Sequence, residues 1–252
     1  RAAPERVAAA AEAFGCRSIA CTYNDPVIFL EYATDVADAC RERGIRSVAV
    51  TAGYMTDAAR EDFYAHFDAA NVDLKAFTER FYSKICAGRL QPVLDTLVYL
   101  RHETDVWLEL TTLLIPGEND TDGELHEMAE WVTEHLGVDV PWHFTAFHPD
   151  WKMRTTPSTP ASTLARARRI ARDAGCRYVY TGNVHDADGQ STYCHACGST
   201  LIGRDGYDLT AWNLDPDGRC KDCSAPCRGV FEARPGDWGA KRLPVRLSEL
   251  AV

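Results

Sequence analysis

Helical and strand-like patterns of apolar residues alternate along the first 180 residues of the chain. Apolar positions recur with helical spacing over several segments, some of which end at a glycine such as Gly15 or Gly44. Short runs rich in β-branched residues lie between them and predict buried strands. The predicted helices cover residues 4–14, 27–43, 57–67, 90–101, 122–136 and 160–174, and the predicted strands cover residues 17–22, 47–51, 71–75, 105–114, 142–147 and 177–180.

Repetition of strand and helix is typical of parallel βαβ units, so the pattern predicts an α/β fold built as an open or closed barrel. The pattern alone does not separate a barrel from a doubly wound sheet, but in both the binding residues collect at the carboxyl ends of the strands. Beyond Asn183 the alternation stops, and Gly, Asp and paired cysteines become frequent. We therefore predict a large domain over residues 1–187, a small one over 188–234 and a tail over 235–252.

Charge and hydropathy narrow the class of protein. The 252 residues include 27 basic and 37 acidic side chains, which gives a formal net charge of −10. This sign does not favour a protein that is held mainly by nucleic-acid phosphates. No apolar run approaches the ~20 residues of a membrane-spanning helix, and the first residues do not resemble a signal peptide. We expect a cytoplasmic protein without a membrane partner.

The ten cysteines of the chain are distributed unevenly. Four form two pairs, Cys194-x2-Cys197 and Cys220-x2-Cys223, which can direct four thiolates at one tetrahedral ion. We predict a closed structural zinc site, with an iron–sulfur cluster as the alternative because Cys227 follows the second pair. Cys227 itself is expected to be a spare thiol. The other five cysteines are expected to be small core residues: Cys16, Cys21, Cys40, Cys86 and Cys176.

Charged and polar residues also gather at the predicted strand ends. Asp73 and Lys75 are two residues apart, so that their side chains share one face of a strand. Taken alone, this pair is explained most simply as a salt bridge. Other strand ends add polar groups that, with this pair, can clamp a zwitterionic ligand: Asn24, Asp25, Thr111, Thr112, His143, His148 and Lys152.

Seven phrases of the sequence, in order, resemble one enzyme family. They are TYNDPVIFLEYATD, VTAGYM, AANVDLKAF, LELTTLLIPGEND, PWHFTAFHPDWKM, YVYTGNV and YCHACG, and they extend through nearly the whole chain to about Cys223. The chain resembles the radical S-adenosylmethionine (SAM) enzyme of the AmmeMemoRadiSam system, a relative of pyruvate formate-lyase-activating enzymes. The resemblance implies a partial (β/α)6 TIM-like barrel, a [4Fe-4S] cluster on a Cys-x3-Cys-x2-Cys loop, and reduction of SAM to a 5′-deoxyadenosyl radical.

The resemblance also implies which residues bind SAM. Residues 23–26 match the loop that receives the methionine ammonium, and they offer Asn24 and Asp25 where the relatives have Gly-Gly-Glu. Residues 51–53 match the segment near the ribose, residues 73–75 match a strand that contacts the methionyl part, and residue 115 and its neighbours match the adenine wall. The complete implied set is Asn24, Asp25, Pro26, Thr51, Gly53, Asp73, Lys75, Thr112, Ile115 and His148.

One part of the family pattern is absent from these 252 residues, because no Cys-x3-Cys-x2-Cys occurs in them. The family carries this loop upstream of the position of Arg1, and a start at Arg does not fit a native start of translation. We therefore expect a truncated chain, inactive alone and without the first barrel strand, rather than a degenerate enzyme. Such a chain would expose an open sheet edge beside residues 17–22.

Three functions stay open at this point. The first is a radical SAM enzyme of the AmmeMemoRadiSam type, with SAM, a [4Fe-4S] cluster and zinc as cofactors, an electron donor as partner, and an unknown small-molecule or protein substrate. The second is an activase of a glycyl-radical enzyme, although such activases generally lack a ribbon. The third is an inactive barrel whose zinc ribbon binds a protein or, against the sign of the net charge, a nucleic acid.

Overall fold

The computed structural model of the chain describes residues 2–232, 234–236 and 238–247. It divides into two compact units, Arg1–Thr111 with Leu243–Val252 and Thr112–Arg242. Six strands form one sheet in chain order, and the β1–β2, β2–β3, β3–β4 and β5–β6 pairs are parallel. The predicted α/β fold with a parallel sheet is confirmed. The strands are β1 Ser18–Cys21, β2 Arg46–Thr51, β3 Ala69–Asp73, β4 Trp107–Leu114, β5 Trp142–Ala146 and β6 Val179–Gly182.

Among its described residues, the first unit contains five α-helices together with β1, β2, β3 and the first part of β4. Alanines of the first helix, Ala8 and Ala11, pack against Val36 and Cys40 of the second helix. Small side chains let these two helices approach closely, and each helix is followed by a glycine with positive φ. β1 is the first strand of the sheet order and therefore lies at an edge. The helices are α1 Pro4–Ala13, α2 Leu30–Arg41, α3 Asp57–Tyr64, α4 Glu79–Phe81 and α5 Gln91–His102.

Two local elements of this unit differ from the predicted pattern. The helix predicted from residue 27 begins with a 3₁₀ turn, Pro26–Phe29, and continues as α2. A π turn, Tyr82–Cys86, follows α4 directly and ends at Ala87, whose φ is +55°. Of the five single cysteines, Cys40 and Cys176 are buried as expected, whereas Cys21 and Cys86 are only partly buried and Cys16 is exposed in the turn between α1 and β1.

The second unit contains the end of β4, strands β5 and β6, and helices α6 Asp122–His135, α7 Ala161–Asp173 and α8 Ala187–Gln190. Trp142 and Phe144 of β5 are fully buried, with ring centroids 4.5 Å apart. After α8 comes a three-stranded antiparallel sheet with β7 Thr192–Tyr193, β8 Thr200–Asp205 and β9 Asp208–Trp212. No helix among the described residues has the length and apolarity needed to cross a membrane.

Candidate functional site

The loops after β1 and β2 are joined through one carboxylate. Asp25 Oδ1 accepts hydrogen bonds from the Thr51 hydroxyl at 2.7 Å and from the Val27 amide at 3.1 Å. Asp25 Oδ2 accepts a hydrogen bond from the Ala52 amide at 2.7 Å. The Thr51 hydroxyl in turn accepts from the Gly53 amide at 3.1 Å. Three predicted SAM-binding residues therefore belong to one hydrogen-bonded network.

The turn that precedes Asp25 has an unusual backbone. Tyr23 and Asn24 both have positive φ, 53° and 56°, although neither is glycine. For residues other than glycine, this conformation costs ~1–2 kcal/mol of free energy. Both residues are exposed, and Tyr23 is 96% exposed. Pro26, in contrast, is buried at the start of the 3₁₀ turn.

At the end of β3, Lys75 Nζ lies 2.6 Å from Asp73 Oδ2. Both side chains are about one third exposed, at 35% and 34%. β3 ends at Asp73, so Lys75 lies just beyond the strand, where its amide donates to the Tyr82 hydroxyl at 3.2 Å. The ion pair proposed from the sequence is formed and accessible to a charged ligand. Burial raises the pKa of Cys86, which lies in the π turn near this pair.

Polar residues that the sequence reasoning did not single out lie on β3 and β4. Asn71 Oδ1 accepts a hydrogen bond from the Thr111 hydroxyl at 2.8 Å. Glu109 Oε1 accepts from the Trp107 indole at 3.0 Å. Asn71 and Asp73 alternate with the buried Ala70 and Val72, so both project from the less buried face of β3. The alternation of apolar and polar residues over 70–73 is visible in the sequence and could have identified Asn71 as a polar residue on the same face as Asp73.

In the second unit, the predicted residues occupy different environments. Thr112 is fully buried, and its hydroxyl accepts a hydrogen bond from the Trp142 indole at 3.0 Å. Ile115 is buried as well, and its amide donates to Asn119 Oδ1 at 2.7 Å. Asn119 also donates to the Leu113 carbonyl, so this side chain holds the turn over residues 115–119. His148 is exposed in the loop after β5.

The four paired cysteines come together in the same unit. The sulfur atoms of Cys194, Cys197, Cys220 and Cys223 all lie within 4.8 Å of one another. The Cys194–Cys223 distance is 3.5 Å and the Cys197–Cys220 distance is 3.7 Å. A tetrahedral ion with Zn–S bonds of ~2.3 Å places its sulfur ligands about 3.8 Å apart, so the four thiols fit zinc. A four-iron cluster holds each thiolate on a different iron and needs a wider arrangement.

The pKa values of the thiols and the position of Cys227 bear on which cysteines bind the metal. Hydrogen bonds with Ser199 lower the pKa of Cys197, whereas the neighbouring thiols, Cys197 first, raise the pKa of Cys223. Cys227 is buried and is not one of the four clustered thiols, and burial raises its pKa. The geometry is compatible with a zinc ribbon formed by two pairs of cysteines, with Cys227 outside the ligand set.

Comparison with known proteins gives the family. The model of the radical SAM superfamily matches residues 2–132. An uncharacterised protein of Methanocaldococcus jannaschii, MJ0808, is 38% identical over 222 residues, which cover 87% of this chain and 65% of the relative. The chain thus spans about two thirds of the length of this relative.

Solved structures share the fold at low sequence identity. A domain of pyruvate-formate lyase-activating enzyme from Bacteroides vulgatus has a TM-score of 0.57 at 16% identity, covering 66% of this chain and 98% of that domain. A radical SAM methyltransferase from Sphaerobacter thermophilus has a TM-score of 0.56 at 17% identity, covering 72% of this chain and 55% of that protein. Since the family model covers more than half of the residues, this chain belongs to the radical SAM superfamily.

Proposed function

We propose that this chain is the SAM-binding part of a radical SAM enzyme of the AmmeMemoRadiSam type, whose substrate is an unidentified small molecule or protein. The observation that carries the proposal is the Asp73–Lys75 pair, which presents both charges at the end of β3 within the family-matched residues. SAM carries an ammonium and a carboxylate on its methionyl part. A partly exposed carboxylate and ammonium are complementary to those two groups.

Seven of the ten predicted residues have a role in this proposal. Asp73 binds the ammonium of SAM and Lys75 binds its carboxylate. The loop around Asn24 encloses the methionyl part, and the segment from Thr51 to Gly53 passes close to the ribose. Ile115 supplies an apolar wall for the adenine, and His148 is a further SAM-binding residue. These assignments follow the resemblance of the quoted phrases to the AmmeMemoRadiSam enzyme.

The iron–sulfur cluster enters the proposal only as a cofactor of the complete protein. When bound, a [4Fe-4S] cluster supplies the electron that cleaves SAM. The 252 residues contain no Cys-x3-Cys-x2-Cys, and the cysteine group found among the described residues fits zinc. We therefore assign none of the described residues to the cluster. The chain's own contribution is to bind SAM, orient it and exclude water.

The ribbon contributes a structural zinc site in this proposal. Four thiolates fill the coordination sphere of zinc and leave no open position for a substrate. Two of the four cysteines, Cys194 and Cys220, belong to a buried cluster that also includes Tyr178, Leu201 and Ile202, which suits a stabilising role. We assign the ribbon no chemistry of its own.

The proposal is tested on the protein expressed from the complete gene. After anaerobic iron–sulfur reconstitution, SAM and dithionite are added and 5′-deoxyadenosine is quantified by liquid chromatography. We expect a cluster and 5′-deoxyadenosine, both dependent on reconstitution. A complete protein that binds SAM but yields no cluster under these conditions would point to an inactive barrel. Formation of a glycyl radical on an added partner, seen by electron paramagnetic resonance, would point to an activase.

A further inference from the structure

The carboxylate of Asp25 is already engaged by the protein. Its two oxygens accept three hydrogen bonds, from the Thr51 hydroxyl and from the amides of Val27 and Ala52. A carboxylate offers about four acceptor positions. Most of the accepting capacity of Asp25 is therefore used within the fold. A SAM ammonium would have to compete with these donors for this carboxylate.

One partner of Asp25, the Thr51 side chain, lies on the opposite side of the sheet from Asp73. The buried residues of β2 alternate, and Thr51 is one of them at 3% exposure. Thr51 pairs in register with Val72, which is fully buried, whereas Asp73 is the next residue along β3. Successive side chains of a strand point to opposite faces. The Thr51 hydroxyl that binds Asp25 therefore lies on the buried face, and Asp73 projects from the other.

A buried residue of α3 supports this placement. Tyr64 is 1% exposed, and its pKa is raised first by burial and then by the nearby Asp25 charge. The Asp25 side chain itself is only partly buried, so its hydrogen bonds to Thr51, Val27 and Ala52, rather than burial, show that the carboxylate is used within the fold.

The network has a clear mechanical effect on the two loops. Asp25 follows Tyr23 and Asn24, whose left-handed conformation persists only if neighbouring contacts hold it. The same carboxylate fixes Ala52 and, through Thr51, the Gly53 amide. One side chain therefore sets the positions of both loops.

We propose that Asp25 is a positioning residue for SAM: its carboxylate holds the loops after β1 and β2 in their binding geometry and does not itself contact the SAM ammonium. This inference rests on the proposed function, because it assumes that these loops bind SAM. The groups assigned to the methionyl part remain Asn24, which is exposed beside Asp25, together with Asp73 and Lys75.

Two ligands distinguish positioning from direct contact. SAM carries the methionyl ammonium, whereas 5′-methylthioadenosine keeps the adenosine and the sulfur but lacks the amino acid. Dissociation constants for both are measured with the reconstituted complete protein and its Asp25→Asn, Thr51→Val and Thr51→Ser variants. We expect Asp25→Asn and Thr51→Val to weaken both ligands by a similar factor, about 10-fold. Thr51→Ser keeps the hydroxyl and is expected to retain wild-type affinity.

A second measurement distinguishes local loosening of the two loops from a general loss of folded structure in these variants. Hydrogen exchange at the Ala52 amide is expected to speed up in Asp25→Asn and Thr51→Val but not in Thr51→Ser, while amides of α2 keep their protection.

Other results distinguish a failure of the positioning role from a failure of the proposed function. A loss of SAM affinity in Asp25→Asn at least 10-fold larger than the loss for 5′-methylthioadenosine would mean that Asp25 contacts the ammonium, and the positioning role would be overturned. Unchanged affinity for both ligands in Asp25→Asn would overturn it as well. If the wild-type protein binds neither ligand, the proposed function fails, and the inference fails with it.

Discussion

Gly53 shows how narrowly a single residue is constrained near the candidate site. Its φ is +64°, and a Cβ built on it would lie 2.7 Å from Val72 Cγ1. Real Cβ atoms do not approach another carbon this closely, so either the strand or the loop has to move. The side chain of Val72 is fully buried in β3 and has little room to yield.

We expect Gly53→Ala to lower the free energy of unfolding by about 2–4 kcal/mol, as backbone strain and overpacking combine. Chemical denaturation measures the change. Gly44→Ala is the matched control, because Gly44 also has a positive φ, +70°, but a Cβ added there would meet no atom within 4 Å. The control is expected to cost only the backbone term, about 1 kcal/mol. Equal losses in the two variants would contradict the steric argument.

The Asp73–Lys75 pair gives a prediction about ligand affinity. We expect Lys75→Ala and Asp73→Asn each to weaken SAM binding about 10-fold, since each removes a charged hydrogen-bond partner of the methionyl part. Equilibrium dialysis with labelled SAM measures this. Lys84→Ala removes the same side chain from an exposed position in the neighbouring π turn and serves as the control. Wild-type affinity in both variants would leave the pair as a salt bridge with no ligand.

At the scale of elements, periodicity predicted the six strands and most helices, because burial of one face dictates the repeat of apolar residues. The boundaries depend on contacts that the pattern does not contain. The pattern predicts one strand over residues 71–75, but β3 ends at Asp73. Beyond it, the Lys75 amide donates its hydrogen bond to the Tyr82 hydroxyl and not to a neighbouring strand. Likewise, two of the three partners of Asp25, Thr51 and Ala52, lie 26 and 27 residues later in the chain. No local signal reports such contacts.

The Thr112 side chain connects β4 to β5 and α6 in the second unit, and its substitution measures how much this connection stabilises the fold. Its hydroxyl accepts from Trp142 of β5 and lies 3.9 Å from the Met128 sulfur of α6. We expect Thr112→Val to destabilise the protein by about 1–3 kcal/mol, because the buried indole N–H loses its partner. SAM affinity is expected to stay unchanged, since the side chain is fully buried.

Thermal and chemical denaturation, together with SAM titration, measure both effects. Thr133→Val is the control, because the Thr133 hydroxyl bonds only to the exposed Glu130 carbonyl of its own helix. A variant that keeps its stability but loses SAM affinity would make Thr112 a direct SAM ligand.

At the scale of the whole molecule, the metal site ties together distant parts of the second unit. Tyr178, just before β6, packs in one cluster with Cys194, Cys220 and Cys227, and its hydroxyl accepts from the Arg228 amide at 3.0 Å. Metal bound to the four clustered thiols therefore stabilises more than the ribbon strands.

We expect one zinc per chain by elemental analysis, and its loss in Cys194→Ser and Cys220→Ser. Chelation is expected to lower the melting temperature of the wild-type protein. Acid is expected to release the metal, because protonated thiols do not bind zinc. Cys16→Ser is the control, since Cys16 is an exposed cysteine outside the cluster. Zinc retained in both ligand variants, or iron in its place, would refute the assignment.

The left-handed turn at Tyr23 and Asn24 has a consequence for what the folded chain presents to solvent. Glycine would adopt this backbone without strain, but it would also add conformational entropy to the unfolded chain. Asparagine tolerates the left-handed region better than tyrosine does, so most of the strain of this turn falls on Tyr23. The turn therefore displays a strained and almost fully exposed aromatic ring two residues before the carboxylate that joins the two loops.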